Sequence, residues 1–245
     1  MSVDKQYFTS RLNKVFSDNG LGRLLSREAC EKFLALTEHM LTENEKYNLT
    51  AITDIDKIIL NHYADCATLA ARLKTGASVV DIGCGAGFPT LPLAILRPDI
   101  SILAVDSTAK RVAYVEGTAK LLGLSGVRCV TMRAEDGARM PKYRERFDIA
   151  TARAVAELRI LAELCLPYVK LGGSFIAMKG KNAEFELSGA KKAIATLGGR
   201  GARIETVNLK SDTEELSHPL IIIDKKEKTP SSYPRPYAQI NKKPL

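Results

Sequence analysis

The sequence predicts an α/β fold, a Rossmann-like, mostly parallel sheet of about seven strands preceded by an N-terminal helical extension. Three observations predict it. The first quarter carries only helix-period apolar patterns. From Ala77 onward short apolar runs alternate with amphipathic ones. The first of those runs, Val79 to Ile82, breaks into glycines at alternate positions, Gly83, Gly85 and Gly87, before the helical run that includes Leu91 and Leu93 to Leu96. Such a strand, tight turn and helix start needs residues that tolerate φ > 0 and let a ligand approach the backbone.

In the helical part, Phe8, Leu12, Val15 and Phe16 share one face of a helix over Gln6 to Phe16, which Asn19-Gly20 ends. Ser26 is placed to cap a second helix whose inner face is Phe33, Leu34, Leu36, Thr37, Met40 and Leu41. Tyr47 to Thr53 is a break, and Asp54 to Leu73 reads as one or two further helices. In the alternating part, strands are expected at Val79 to Ile82, Ile102 to Asp106, Val127 to Met132, Phe147 to Ala152, Ser174 to Lys179, Ile204 to Leu209 and Leu220 to Asp224. A helix from Val155 to Val169 and a Gly172-Gly173 turn lead into the fifth. The last two strands lack a helix between them and read as an antiparallel edge. The expected organisation is a helical extension over residues 1–74, a core over 75–224 and a basic, proline-containing tail over 225–245. Pro230, Pro234, Pro236 and Pro244 forbid a regular helix in that tail, which reads either as a frayed, solvated end or as an extended arm that lays its cations along phosphates.

Composition narrows the function. With 45% hydrophobic residues in 245 the chain can bury one substantial core. It has no apolar run of about 18 residues and no signal-peptide core after M-S-V-D-K-Q-Y, so a soluble cytoplasmic protein without a membrane partner is expected. The five cysteines, Cys30, Cys66, Cys84, Cys129 and Cys165, are scattered and form no C-x-x-C pair, against a disulfide framework or a metal site. A net charge of +8 points to a polyanion, with nucleic acid first. Oligomeric state is not legible, and a monomer is the default.

The spacing of the glycines selects the ligand. A dinucleotide loop reads G-x-G-x-x-G/A, and counting from Gly83 the final position is Phe88, too large for that role. A nicotinamide dehydrogenase is therefore disfavoured. The form D-I-G-C-G-A-G after Asp81 looks like the cofactor loop of class I methyltransferases, which cradles S-adenosylmethionine. Asp106 closes the second strand, where an acid can accept both ribose hydroxyls, and Ala134-Glu135-Asp136 follows the third, in place to meet the adenine. Arg153, just past the fourth strand, faces the cleft and can serve the cofactor or a phosphate through its planar fork. Lys179 ends the fifth strand and, with Arg235, Lys242 and Lys243 of the tail, is the expected RNA-facing set. His39, His62 and His218 read as packing or surface residues, His62 having Asp65 one helical turn on.

The acceptor is narrowed by elimination. Carbon methylation of a pyrimidine needs a cysteine nucleophile, and no Pro-Cys pair ends a strand. Amino-group methylation goes with an [Asn/Asp]-Pro-Pro-aromatic turn after the fourth strand, where this chain has Thr151-Ala152-Arg153-Ala154. A ring nitrogen with a free lone pair, such as guanine N7, needs neither, and catalysis can rest on positioning.

The motifs resemble, in order and over nearly the whole chain, those of the bacterial small-subunit ribosomal RNA guanine-N7 methyltransferases of the RsmG/GidB family. They are Y-N-L-T at Tyr47, N-H-Y-A-D at Asn61, D-I-G-C-G-A-G-F-P at Asp81, V-D-S at Val105 with Lys110-Arg111, R-A-E at Arg133 and T-A-R-A-V-A at Thr151. The resemblance implies S-adenosyl-L-methionine as cofactor, contacted at Gly83, Phe88, Ala134, Glu135 and Arg153, and 7-methylguanine in 16S ribosomal RNA, free or in the small subunit, as product. Gly85 and Asp106 join that cofactor set from the loop and strand-end reading. Two departures stand out: Cys84 replaces an expected serine, threonine or alanine, and the tail Y-P-R-P-Y-A-Q-I-N-K-K-P-L lacks the usual Gly-Thr-Pro. The rival from another class is a non-catalytic RNA-binding sensor of S-adenosylmethionine.

Overall fold

The computed structural model describes residues 3–245. Met1 and Ser2, where the reading of the N-terminus begins, lie outside the described residues, as does the side chain of Tyr47. The elements follow in the order α1 (Lys5–Asp18), α2 (Arg27–Tyr47), α3 (Ile55–Ile58), a π-helical stretch (Ile59–Ala64), α4 (Asp65–Ala70), β1 (Ser78–Ile82), α5 (Thr90–Leu96), β2 (Ser101–Asp106), α6 (Ala109–Leu121) and β3 (Val127–Thr131). The second half runs α7 (Ala134–Arg139), β4 (Phe147–Arg153), α8 (Leu158–Cys165), β5 (Val169–Met178), α9 (Ala183–Thr196), β6 (Gly199–Lys210), β7 (Glu215–Lys225) and α10 (Tyr237–Lys242).

The strands form one seven-stranded sheet in the order β3-β2-β1-β4-β5-β7-β6. The first five pair in parallel, while β7 lies antiparallel between β5 and β6. The expected antiparallel pair is thus present, with β7 inserted inside the sheet and β6 as its edge. Strand order reverses between β1 and β4, which places the ligand crevice at the carboxyl ends of those strands.

Parallel strands covered on both sides read as continuous apolar runs because alternate residues enter opposite cores. Val79, Ile102, Ala104, Ile176 and Ile222 join one apolar cluster with the N-terminal helices, α5 and part of α6. Val80, Leu103, Phe175, Ile221 and Ile223 join the other with α8 and α9. The helical extension is therefore one wall of the sheet's own core. Asp4 and Ser26 cap α1 and α2 by accepting from the N–H groups of Tyr7 and Ala29.

Two expectations are corrected here. Gly172 and Gly173 are not a turn before the fifth strand but a kink within it, since β5 begins at Val169. A Cβ on Gly173 would stand 2.4 Å from the Asp148 carbonyl oxygen, so only glycine allows β5 to stay beside β4 there. The helix expected to reach Val169 ends at Cys165, followed by a 3-10 turn (Leu166–Tyr168).

The tail is likewise not a free arm. Arg144 donates to the carbonyls of Thr229, Pro230 and Tyr233, and Arg139 to that of Pro234. Pro234 and Pro236 precede α10 rather than forbid it, and α10 drives Ile240 to full burial. Lys225 is itself fully buried, its Nζ donating to the carbonyls of Leu166 and Leu197 and to Thr229. Burial pushes that amine down to about 8. Arg235 clasps Glu163, a fully buried carboxylate, through Nε at 2.9 Å and Nη2 at 2.6 Å, while its backbone N–H donates to the same group at 2.8 Å.

Removing one partner of a buried ion pair leaves an uncompensated charge, at a cost of about 3–5 kcal/mol. Arg235→Met should lose that order of unfolding free energy in urea denaturation, and Arg235→Met with Glu163→Leu should recover most of it. A single variant within about 1 kcal/mol of wild type would show that the clasp does not hold the tail.

Candidate functional site

A cavity of about 580 Å³ opens at the carboxyl ends of β1, β2, β3 and β4, within the range usual for small-molecule sites. Its floor is the glycine loop. Gly83, Gly85 and Gly87 all have positive φ, which a side chain would strain. A Cβ on Gly83 would stand 2.6 Å from Val155 Cγ2, whereas one on Gly85 meets only the Gly83 carbonyl at 3.8 Å. Space above Gly85 is therefore cavity, and glycine there lets a ligand approach the backbone. The loop is stitched to β2: the Gly83 and Cys84 N–H groups donate to the Val105 carbonyl at 2.7 and 3.0 Å, and the Gly85 N–H donates to Asp106 Oδ2 at 3.1 Å.

Two carboxylates line the cavity. Asp106 uses its other oxygen to accept from the Thr108 N–H at 2.8 Å. Each oxygen keeps a lone pair for a ligand hydroxyl. Glu135 sits in the first turn of α7, buried, with Arg133 Nη1 at 3.9 Å. The rim carries three exposed cations, Lys110, Arg111 and Arg133, and the ring of Tyr237 from the tail, which the Arg133 guanidinium overlies at 5.9 Å. Asn48, in the left-handed conformation at the end of α2, and Leu49 complete it.

Arg153 reaches the cavity from the end of β4, and Ala154 after it has φ of 55°, a conformation costly for a residue with a Cβ. The helical extension holds the guanidinium: Nη1 donates to Asp65 Oδ2 at 3.1 Å, and Nη2 to the Asn61 carbonyl at 3.2 Å and His62 Nδ1 at 2.9 Å. The same Nδ1 lies 3.1 Å from the Asn61 carbonyl, and Nε2 faces Thr50 Oγ1 at 3.2 Å, so both ring nitrogens of His62 are engaged. Burial, and then the Arg153 charge, pushes His62 down to about 4, which keeps the ring neutral. His218 Nε2 abuts the second oxygen of Asp65. Asp65 therefore serves Arg153 and His218, not His62 one turn earlier.

The predicted residues divide clearly. Gly83, Gly85, Asp106, Ala134, Glu135 and Arg153 all line the one cavity. Phe88 does not: its ring stacks on His62 with centroids 4.3 Å apart and lies beneath the Arg153 guanidinium. It supports Arg153 because its own position, following Gly87, turns it into the core shared with the N-terminal helices. Lys179 does not face outward either, since Nζ donates to the Ala156 carbonyl at 2.8 Å and pairs with Glu186 at 2.7 Å. Arg235 is committed to Glu163, and of the expected RNA-facing set only Lys242 and Lys243 have exposed side chains. Sequence reasoning missed Tyr237 as a wall of the cavity and His218 as a neighbour of Asp65. Neither carries a local signal, because both meet the site only through tertiary contact. Burial pushes the Cys84 thiol well up, which suits a packing residue rather than a nucleophile.

The cavity fits S-adenosylmethionine better than a dinucleotide. Two carboxylates face the space where a pyrophosphate would add charge of the same sign, whereas ribose hydroxyls and an amino group donate to such acceptors. Asp81, near the end of β1, is fully buried, with Oδ2 accepting from Thr90 at 2.6 Å and Oδ1 without a hydrogen-bond partner among the described residues.

Comparison with known proteins gives the chain's family and the likeness of its fold. The family described as GidB, rRNA small subunit methyltransferase G, matches residues 29–216. A "Ribosomal RNA small subunit methyltransferase G" of Clostridium perfringens (strain 13 / Type A) is 43% identical over 242 residues, 98% of this chain and 99% of that protein. One from Lactobacillus delbrueckii subsp. bulgaricus is 42% identical over 219 residues, 88% of this chain and 91% of its own. Among solved structures, a SAM-dependent O-methyltransferase from Thermotoga maritima aligns with a TM-score of 0.54 at 14% identity, covering 77% of this chain and 72% of that one. TYW2 of M. jannaschii in complex with AdoMet aligns with a TM-score of 0.52 at 16% identity, covering 65% and 73%. At those identities the likeness is one of fold, that of the class I methyltransferases.

Burial pushes the Asp81 carboxyl up from its ordinary 3.8 to about 6. A carboxyl whose folded value is raised favours the folded state when protonated, so stability falls as pH rises from about 4 to about 6. Above that window the ionised group costs on the order of 3 kcal/mol. Asp81→Asn should be more stable than wild type at pH 7.5 and converge on it at pH 4 by urea unfolding; equal gaps at both pH values would refute the raised value.

Proposed function

We propose that this chain, which belongs to the rRNA small subunit methyltransferase G (GidB) family, transfers the methyl group of S-adenosylmethionine to N7 of a guanine in 16S ribosomal RNA, acting in the cytoplasm on the RNA or the small subunit. The observation that carries the reading is one cavity floored by a glycine loop and faced by two carboxylates, Asp106 at the end of β2 and Glu135 in the first turn of α7, in a chain of that family. S-adenosylmethionine supplies a methyl made electrophilic by a sulfonium. The chain's own part is to bind, orient and exclude water.

Gly83 and Gly85 present backbone to the cofactor, Asp106 accepts from the ribose, and Glu135 with Ala134 bounds the adenine. Arg153, held by Asp65, Asn61 and His62, is fixed before any ligand arrives, so its charge costs no reorganisation on binding. Guanine N7 already has a lone pair in the ring plane, so no group must remove a proton before attack. That suits a cavity whose imidazole neighbour, His62, is tied up on both ring nitrogens. Lys242, Lys243 and Lys110 are exposed cations placed to meet phosphates, and Arg111 and Arg133, loosely paired with Asp106 at 3.8 Å and Glu135 at 3.9 Å, add to the rim's positive charge.

Small subunits from a strain lacking the gene should take up labelled methyl from S-adenosylmethionine and release 7-methylguanine on hydrolysis. No label, or label at another atom, would overturn the reading. Asp106→Ala removes both a ligand acceptor and the anchor of Gly85, and should weaken S-adenosylmethionine binding about 10- to 100-fold by calorimetry while leaving RNA affinity within about twofold. An unchanged cofactor affinity would take Asp106 out of the site.

A further inference from the structure

Phe185 is 84% exposed, well beyond any other exposed large hydrophobic side chain among the described residues. It stands in the first turn of α9, a helix that packs through Ala183, Ala190, Ala193 and Ile194. The fold therefore does not need its ring. Its place relative to the cavity is fixed by the next residue. Glu186 Oε2 accepts from the Leu158 N–H at 2.7 Å and pairs with Lys179 at 2.7 Å, and Lys179 in turn donates to the Ala156 carbonyl. These bonds clamp the start of α9 to the loop after β4, whose Ala154 and Val155 line the cavity. Val155 is itself 41% exposed, so apolar surface lies both at the cavity lip and on the helix turn clamped to it.

Resting on the methyl-transfer reading above, we infer that Phe185 is a stacking platform for an unpaired nucleobase of the substrate RNA next to the guanine that enters the cavity. A guanine presented to the cofactor must leave its stack, which exposes the face of its neighbour. An exposed aromatic ring on the helix turn clamped to the loop after β4 replaces that lost stacking without regard to base identity. The substrate of the proposed reaction is itself RNA and the chain carries a net charge of +8; in the turn itself exposed Lys181 stands against exposed Glu184, while Glu186 is neutralised by Lys179. Lys179 is the clamp in this arrangement, so Phe185 and Lys181 take the outward role that sequence alone gave to Lys179.

The chain has no tryptophan, so Phe185→Trp creates a single fluorescent reporter at the platform. Adding small subunits from a gene-deleted strain should quench its emission at least about twofold by base stacking, while S-adenosylmethionine alone leaves it unchanged. Phe185→Ala and Phe185→Leu should raise KM for the subunit about 10-fold or more with kcat, cofactor affinity and melting temperature little changed, and Phe185→Tyr should keep the wild-type KM. A blue shift without quenching, the sign of burial against protein, or a Leu variant as good as Phe, would overturn the platform. Wild-type protein that transfers no methyl would instead overturn the underlying reading.

Discussion

The bond from the Gly85 N–H to Asp106, with those from Gly83 and Cys84 to Val105, is the constraint on which the rest depends. Parallel strands leave their carboxyl ends open, and a loop that wandered there would fill the crevice. Stitching the loop to the end of β2 keeps it flat, and glycine at three positive-φ positions lets it lie so without strain. One carboxylate thereby organises the backbone floor and still keeps lone pairs for a ligand. The cavity exists because the loop is held down.

Arg153 is the second pillar, and the helical segment that walls one face of the sheet also holds it. The π-helical stretch Ile59–Ala64 lies between α3 and α4, and such irregular turns recur at functional sites. Here it brings the Asn61 carbonyl, His62 and, at the start of α4, Asp65 onto one guanidinium. Phe88 stacks on His62 from the glycine-loop side, and Thr50 meets its other nitrogen from the loop after α2. Several separate motifs thus converge on the orientation of one side chain that reaches the cavity.

The basic tail changes meaning once its contacts are seen. Its cations divide into anchors and free charges: Lys225 and Arg235 are consumed by buried carbonyls and Glu163, while Lys242 and Lys243 stay in water. Docking brings Tyr237 to the cavity wall, so tail and site are mechanically joined. Charge in a sequence counts cations but does not say which are already paired.

By itself the sequence determined the alternation of strands and helices, the glycine loop, the two strand-end acids and the place of Arg153. Each is a local signal, a period, a residue that tolerates φ > 0, or an acid at the end of an apolar run. Only the tertiary structure decided that Phe88 supports rather than lines the cavity, that Lys179 is a clamp and Arg235 an anchor, and that β7 lies inside the sheet. Those facts depend on partners up to 72 residues away in the chain, as with Arg235 and Glu163, and on which of two faces a side chain enters. A long-range ion pair or stack leaves no periodic trace in the residues that make it, so it becomes visible only when the chain has folded.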